Sequence, residues 1–495
     1  MYWLQKLINM KILLLNPPFF PRYTRPSRSP CVAKGGTFYY PYFLAYACGA
    51  LEKNGFDGQV KLVDAVANGW NHEETIKFVK SFNPDLVVID TSTPSIYNDV
   101  EVATKIKKAL PKVHINLVGT HPTRVTDETF GLSSAIDSIC RGEYDYTLVE
   151  LAKALEKGTS LRKIKGLSFR EDGKIIHNEP RELIKNLDEL PFVSEVYKKH
   201  FGIEGIKKYF YASLKHPQVT ILTARGCPYN CSFCNIPFKA SYRARSPENV
   251  VDEFEYIQNE LPEIKEVMIE DDTFPVNKER TLEICRLLKE RGIKLTWSCN
   301  ARVNTDFETL KAMKEAGCRL LCVGFESPVK TILDNVHKRT TAEMQLKFME
   351  DCRKIGLLVN GCFILGMPGE TKETIRKTIE FAKKLNPDTA QFYSLFAYPG
   401  TELWEWAKKN GYLTSERYDA LLTKDGYHKG NVNLPDLTAE EADQLCKEAL
   451  KEFYLRKEYI FYKFKQIITN FDEAKRTLMS GRVFFKHILP QAASP

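Results

Sequence analysis

The stretch Gln218-Val-Thr-Ile-Leu222-Thr-Ala-Arg225-Gly-Cys227-Pro-Tyr-Asn-Cys231-Ser-Phe-Cys234 decides how the chain is read. Its first part is a short, β-branched apolar run that reads as a buried strand over 219–222. Directly after it come three cysteines in a Cys-x3-Cys-x2-Cys spacing, on a Gly/Pro loop with no helical period. Thiolates set that close converge on one centre. Iron–sulfur cubes are normally held by four cysteines, so a trio leaves one iron without a protein ligand. Structural zinc closes four protein ligands, and no fourth Cys or His stands nearby. Three packed free thiols would need a coincidence of spacing and loop position. The pattern favours a cluster on Cys227, Cys231 and Cys234 over zinc or inert thiols.

Outward from that loop, strands are expected at 219–222, 266–269, 294–298, 320–323, 358–364 and 389–393, with helices between them, as at 248–259, 278–291 and 371–385. Six strand–helix units in succession imply parallel strands with right-handed crossovers, in an open sheet or a partial barrel. Acidic and Gly-rich groups fall on the carboxyl edge of successive strands: Glu270-Asp-Asp-Thr-Phe274, Ser298-Cys-Asn-Ala-Arg302, Gly324-Phe-Glu-Ser327, Asn360-Gly-Cys-Phe-Ile-Leu-Gly-Met-Pro-Gly-Glu370 and Tyr398-Pro-Gly-Thr401. Upstream, a first alternation places strands at 12–15, 60–63, 86–89, 115–118 and 135–139. Helices are expected near 44–54, 73–81, 99–110 and 146–156. Continuous apolar strands separated by helices imply a doubly wound parallel sheet. Its ligand-facing carboxyl ends carry Asn16-Pro-Pro18, Asp90-Thr-Ser-Thr-Pro94, Gly119-Thr-His-Pro-Thr123 and Arg141-Gly-Glu143. The expected organisation is an α/β chain: a Rossmann-like domain over 10–157, a connector with an Asp172-Gly173 hairpin over 158–215, a partial (β/α)6 barrel over 216–411 and a helical region over 412–495.

A length of 495 residues, 43% of them hydrophobic and 27% charged, suits two large domains with a smaller appendage. Lys and Arg exceed Asp and Glu by 71 − 63 = 8 over the whole chain, which is no nucleic-acid signature. Thirteen cysteines at mostly irregular spacings suit a reducing cytosol rather than a disulfide framework. The other ten are expected to pack as small hydrophobes, as Cys318 and Cys322 beside an apolar strand. The apolar runs are too short to span a bilayer, and the first nine residues carry no signal-peptide cleavage pattern. Met10 is an equally good start, because the patterned fold begins directly after it. A soluble cytoplasmic protein is expected. Thr438 opens a helix expected to run through Leu445 and Leu450 toward Phe464, crowded with Tyr, Phe, Lys and Arg and followed by Arg482-Val-Phe-Phe-Lys-His487. Such a face suits peripheral contact with the inner face of a membrane. The plainer expectation is that Phe453, Tyr454, Tyr459, Phe461, Tyr462 and Phe464 pack over the barrel mouth.

The trio, with Phe233 before its last cysteine, resembles the radical S-adenosylmethionine superfamily. The resemblance implies a 4Fe–4S cluster whose open iron takes the methionyl amine and carboxylate of S-adenosylmethionine. One electron then breaks the C5′–S bond to give a 5′-deoxyadenosyl radical. A flavodoxin- or ferredoxin-type protein is the implied electron donor. The strand ends follow the family order: Glu270, Asp271 and Asp272 as acceptors for the amine, Ser298 as a further S-adenosylmethionine contact on the third strand end with Arg302 toward the carboxylate, Glu326 for the ribose hydroxyls and Gly366 in the adenine-contacting segment. The first domain resembles the cobalamin-binding domain of one branch of this superfamily, implying cobalamin contacts from Asn16, Thr93, Gly119, His121, Pro122, Thr123 and Glu143. The Asp-x-His-x-x-Gly motif that supplies an axial histidine is absent, so cobalt would lack that ligand.

Within the branch, the chain looks most like hopanoid-associated radical proteins that build the cyclitol ether head group, and like the anaerobic Mg-protoporphyrin ester cyclase. The phrases carrying this are Thr91-Ser-Thr-Pro-Ser95, Gly166-Leu-Ser168, Leu190-Pro-Phe-Val193, Leu214-Lys-His-Pro217, Asp271-Asp-Thr-Phe274 and Trp297-Ser-Cys-Asn-Ala301. The implied reaction is ring formation, ring contraction or C-methylation of a small or lipid-like metabolite, with a cobalamin-dependent methyltransferase of natural-product synthesis as the alternative. A tRNA methylthiotransferase needs a second three-cysteine cluster, and the first domain holds only Cys31, Cys48 and Cys140. No nucleic-acid partner is expected. A carrier or sensor of cluster or cobalamin would need no cosubstrate pocket, which the strand ends argue against.

Overall fold

Apolar runs become parallel strands in both halves of the chain. The computed structural model describes residues 10–469 and residue 477; the expected segment 482–487 lies outside them. Two units form: Met1–Cys31 with Tyr40–Gly205, and Val32–Tyr39 with Ile206–Pro495.

The first unit is built on β1 (Ile12–Asn16), β2 (Val60–Asp64), β3 (Leu86–Thr91), β4 (His114–Gly119), β5 (Ser138–Cys140), β6 (Leu167–Glu171) and β7 (Lys174–His177), in the order β2-β1-β3-β4-β5-β6-β7. Strands β1 to β5 are parallel, and β1 and β3 are buried along their whole length, the pattern of a sheet covered on both faces. The strand expected over 135–139 is the short β5. The hairpin placed in the connector instead extends this sheet: β6 runs antiparallel to β5, pairing Cys140 with Leu167 and Ser138 with Phe169. An edge strand of three residues leaves backbone groups open, and the hairpin covers them. Asp172 and Gly173, with φ of +49° and +74°, make the tight turn that Asp-Gly favours.

The second unit carries β8 (Gln218–Ile221), β9 (Ala224–Arg225), β10 (Arg243–Ala244), β11 (Glu266–Ile269), β12 (Thr296–Ala301), β13 (Cys318–Glu326), β14 (Leu358–Leu365) and β15 (Thr389–Ser394). Six of them form one parallel sheet in the order β15-β14-β13-β12-β11-β8, open between β15 and β8, which is a partial barrel. The third strand lies later than expected, at Thr296–Ala301, because Gly317 and Trp297 set its register with β13. Residues Val32–Tyr39 belong to this unit: Val32 N–H donates to the Gly426 carbonyl at 2.8 Å and Tyr39 Oη to Tyr211 Oη at 3.1 Å.

The expected long C-terminal helix is two helices, Ala439–Tyr454 and Lys457–Thr469. At the break Arg456 stacks 4.1 Å above the Phe453 ring and donates to Asn386. The aromatic cluster does not cover the barrel mouth. Tyr454 Oη accepts from Ala390 N–H at 2.9 Å and donates to Ala390 O at 2.8 Å, standing in for a neighbour on the free edge of β15. Tyr459 and Tyr462 bond Asp388, just before that strand begins. Phe461 and Phe464, expected to pack, are 72% and 58% exposed. No helix among the described residues is long and apolar enough to cross a membrane.

Candidate active site

The cysteine loop is closed at its neck by β9 pairing antiparallel with β10. Gly226 makes the closure possible. Its φ is +84°, and a Cβ there would lie 1.7 Å from the Ser241 carbonyl oxygen. Inside the loop Cys227 N–H donates to Phe238 O at 3.4 Å, Cys234 N–H to Cys231 O at 3.2 Å, and Lys239 Nζ to Cys231 O at 2.8 Å. Ser232 N–H is tied to Val336 O at 3.2 Å. Cys227 and Cys231 are buried, while Cys234 and Phe233 are half-buried. Burial pushes the Cys227 thiol up; the Tyr229 N–H and Arg302 pull against that, and Asp272 and Cys231 add to it.

Three ionisable sulfurs on one constrained loop suit a cluster. Among the described residues the donors drawn within 4.8 Å of one another, as around a single ion, are Cys48, Glu52 and His200 instead. That group is a hydrogen-bond cluster. His200 Nδ1 accepts from Leu62 N–H at 3.2 Å, so Nε2 keeps the proton and donates to Glu52 at 3.0 Å. Burial and Glu52 hold the Cys48 thiol well above its ordinary range.

Around the loop the structure sorts the residues named from sequence. Glu326 ends β13 at a bulge with φ +64°, and its Oε1 accepts from Lys338 Nζ at 2.7 Å in a buried ion pair. Gly324 leaves room for that pair, since a Cβ would stand 2.3 Å from Glu326 Oε1. Arg302 lies 3.8 Å above the Tyr229 ring, donates to Lys338 O at 2.5 Å and reaches 3.9 Å from Cys231 Sγ. Asp271 is consumed inside the fold: it accepts from Thr223 N–H, Thr223 Oγ1 and Ala224 N–H at 2.5 to 3.0 Å. It ties the Thr223–Ala224 backbone, where β8 leads into β9, to the segment that follows β11. Ser298 is likewise spent, donating at 2.5 Å to Glu266, which also pairs with Arg319. Glu266 is the first residue of β11, so Ser298 serves the amino end of the barrel. Gly366, at φ +92°, gives its N–H to Glu370 Oε2 at 2.6 Å, as Met367 does at 2.9 Å. Burial raises Glu370 to about 7. Lys338 and Tyr229 were missed in the sequence, where nothing separates them from ordinary surface residues.

At the carboxyl edge of the first unit, Asn16 is enclosed. Its Nδ2 donates to Asp64 at 2.9 Å and its Oδ1 accepts from Arg25 at 2.8 Å; Arg25 also pairs with Asp99 at 2.6 Å with both side chains fully buried. Asn16 therefore braces the edge. Thr93 Oγ1 is 3.3 Å from His121 Nδ1. Gly119 lets two strand ends approach, for a Cβ would stand 2.4 Å from Thr91 O. Thr123 Oγ1, one residue past Pro122, donates to Gly119 O and accepts from Gly142 N–H, and Glu143 accepts from Ile184 N–H at 2.7 Å. Burial pushes His121 down to about 3, so it is neutral at ordinary pH. His121 is thus enclosed in the domain, with Nδ1 turned to Thr93.

A partial parallel barrel with a three-thiol loop after its first strand, joined to a doubly wound parallel sheet, defines a class of iron–sulfur enzyme with a second cofactor domain. The chain belongs to the radical SAM superfamily, in the branch that carries a B12 binding domain. It matches the Radical SAM superfamily over residues 221–382 and the B12 binding domain over residues 28–152. With those families come a 4Fe–4S cluster, S-adenosylmethionine and cobalamin. The chain is 36% identical, over 90% of its length and 93% of the relative's, to the uncharacterized methyltransferase PH0819 of Pyrococcus horikoshii. It is 31% identical to the anaerobic magnesium-protoporphyrin IX monomethyl ester cyclase of Cereibacter sphaeroides, over 74% of this chain and 60% of that one. Its fold matches the radical S-adenosylmethionine methyltransferase TsrM of Kitasatospora setae, solved with cobalamin and a [4Fe-4S] cluster, with a TM-score of 0.68, 18% identity and coverage of 90% and 89%.

Proposed function

We propose that this protein is a cobalamin-dependent radical methyltransferase acting on a small molecule. The observation that carries the reading is the pairing, in one chain, of the closed three-cysteine loop with a B12-type domain, in a sequence that aligns along nearly its whole length with a protein named as an uncharacterized methyltransferase. The cofactors supply one-electron cleavage of the sulfonium and a transferable methyl group. The chain's part is binding and orientation. Cys227, Cys231 and Cys234 hold the cluster. Glu270 and Asp272 accept from the methionyl ammonium, a charge that needs carboxylate partners. Glu326, with Oε1 committed to Lys338, offers Oε2 to the ribose. The Gly366 turn, braced by Glu370, presents backbone to the adenine.

The narrower reading is a lipid-like substrate such as a hopanoid head group. Phe461, Phe464 and Ile468, exposed beside Lys457 and Lys465, support it, because such a face suits a membrane interface. The test is anaerobic reconstitution with iron, sulfide and methylcobalamin, reduction, and addition of S-adenosylmethionine with extracted metabolites. Methyl transfer gives both 5′-deoxyadenosine and S-adenosylhomocysteine with a methylated product. Ring formation gives 5′-deoxyadenosine without S-adenosylhomocysteine. Reduced, cluster-loaded protein that makes no 5′-deoxyadenosine overturns the reading.

A further inference from the structure

Arg302 was read from sequence as a partner for the methionyl carboxylate, yet its guanidinium is directed at a cluster cysteine. Nη1 stands 3.9 Å from Cys231 Sγ, within reach of an N–H···S hydrogen bond. Two contacts fix it there, and the partner in the first is itself braced. The guanidinium plane lies 3.8 Å above the Tyr229 ring, Nη2 donates to Lys338 O at 2.5 Å, and Tyr229 Oη is itself held by Asn304 Nδ2 at 2.8 Å. The carbonyl that holds Nη2 sits in a strained segment: His337 and Arg339, on either side of Lys338, have φ of +56° and +54°. Non-glycine residues persist in that region only where their surroundings over-determine them. Here the surroundings are the Lys338–Glu326 pair and the bond from Ser232 N–H to Val336 O.

The second neighbour of the Cys231 sulfur is the His337 carbonyl, 3.9 Å away, which the thiol faces as a donor. A cysteine sulfur bound to iron would have no proton to give that carbonyl, so the Arg302 N–H would be the donor facing it. Accepting an electron makes a cluster more negative. A fixed cation with an N–H on a ligand sulfur therefore favours the reduced state, and hydrogen bonds to sulfur are a known lever on cluster potential.

We propose that Arg302 is a tuning residue that raises the reduction potential of the cluster through Cys231, easing electron entry from a low-potential flavodoxin- or ferredoxin-class donor. The inference rests on the cluster assignment above.

The experiment is an anaerobic redox titration of reconstituted protein, followed by electron paramagnetic resonance without S-adenosylmethionine, on wild type, Arg302→Gln, Arg302→Lys and Tyr229→Leu. At the wild-type midpoint, Arg302→Gln is expected to lower the reduced-to-oxidised ratio at least tenfold, about 59 mV for a one-electron couple. Arg302→Lys, which keeps the charge, recovers part of this, and Tyr229→Leu, which frees the guanidinium, falls between. If Arg302→Gln takes up no iron, the other two variants decide. Unmoved potentials, with binding of S-adenosylmethionine lost by calorimetry, overturn the inference and return Arg302 to the methionyl carboxylate. Wild-type protein that takes up no cluster overturns the functional reading as well, whereas a normal cluster with unmoved potentials overturns this inference alone.

Discussion

Replacing Lys338 by methionine isolates the buried ion pair that sets the Glu326 carboxylate. The pair is 2.7 Å long, with side chains 8% and 7% exposed. At an effective dielectric of about 20, two unit charges at that distance attract by about 332/(20 × 2.7), or roughly 6 kcal/mol. Desolvation of both groups offsets part of this. Removing one partner alone leaves an uncompensated buried charge, and the loss is about 3–5 kcal/mol. Lys338→Met should lower the unfolding free energy of the second unit by that amount, read from urea denaturation followed by tryptophan fluorescence. Adding Glu326→Gln should restore most of the loss, because no buried charge is then left alone. The reasoning fails if Lys338→Met is as stable as wild type. It fails equally if the double variant is as damaged as the two single losses added together.

Gly226→Ala should abolish iron uptake, because the new Cβ meets the Ser241 carbonyl at 1.7 Å and the left-handed backbone costs about a further 1–2 kcal/mol; normal iron content would contradict this. Tyr454→Phe should cost about 1–2 kcal/mol in urea by stripping both hydrogen bonds from the free edge of β15, and an unchanged midpoint would show that edge to need no cover. His121 titrates near 3 when folded and near 6.5 when unfolded, so the unfolded chain binds the extra proton between those values and stability falls as pH drops through that window. The loss at pH 5 is about 2 kcal/mol, and His121→Gln should remove it from the first unit's denaturation curve; an equal acid loss in the variant would refute the burial assignment.

Much of this protein is legible in its amino-acid sequence. The spacing of Cys227, Cys231 and Cys234 on a strand-end loop is a local property, and so is the apolar periodicity that makes β1, β3, β8 and β11 to β15 parallel strands. The expectation of ring formation, ring contraction or C-methylation on a hopanoid head group had no such local basis. Alignment along nearly the whole chain with a protein named as an uncharacterized methyltransferase favours the cobalamin-dependent methyltransferase first held as the alternative.

What a side chain does at a strand end depends on partners far away in the chain, and there one-dimensional reading ran out. Asp271, Ser298 and Asn16 looked like open ligands, but each is used up by a residue 32 to 48 positions distant. Lys338 looked like a surface lysine and is the counterion of Glu326. Only the tertiary structure decided these roles, because a buried polar atom must be satisfied by whatever the fold brings beside it, and that neighbour is set by packing rather than by adjacency.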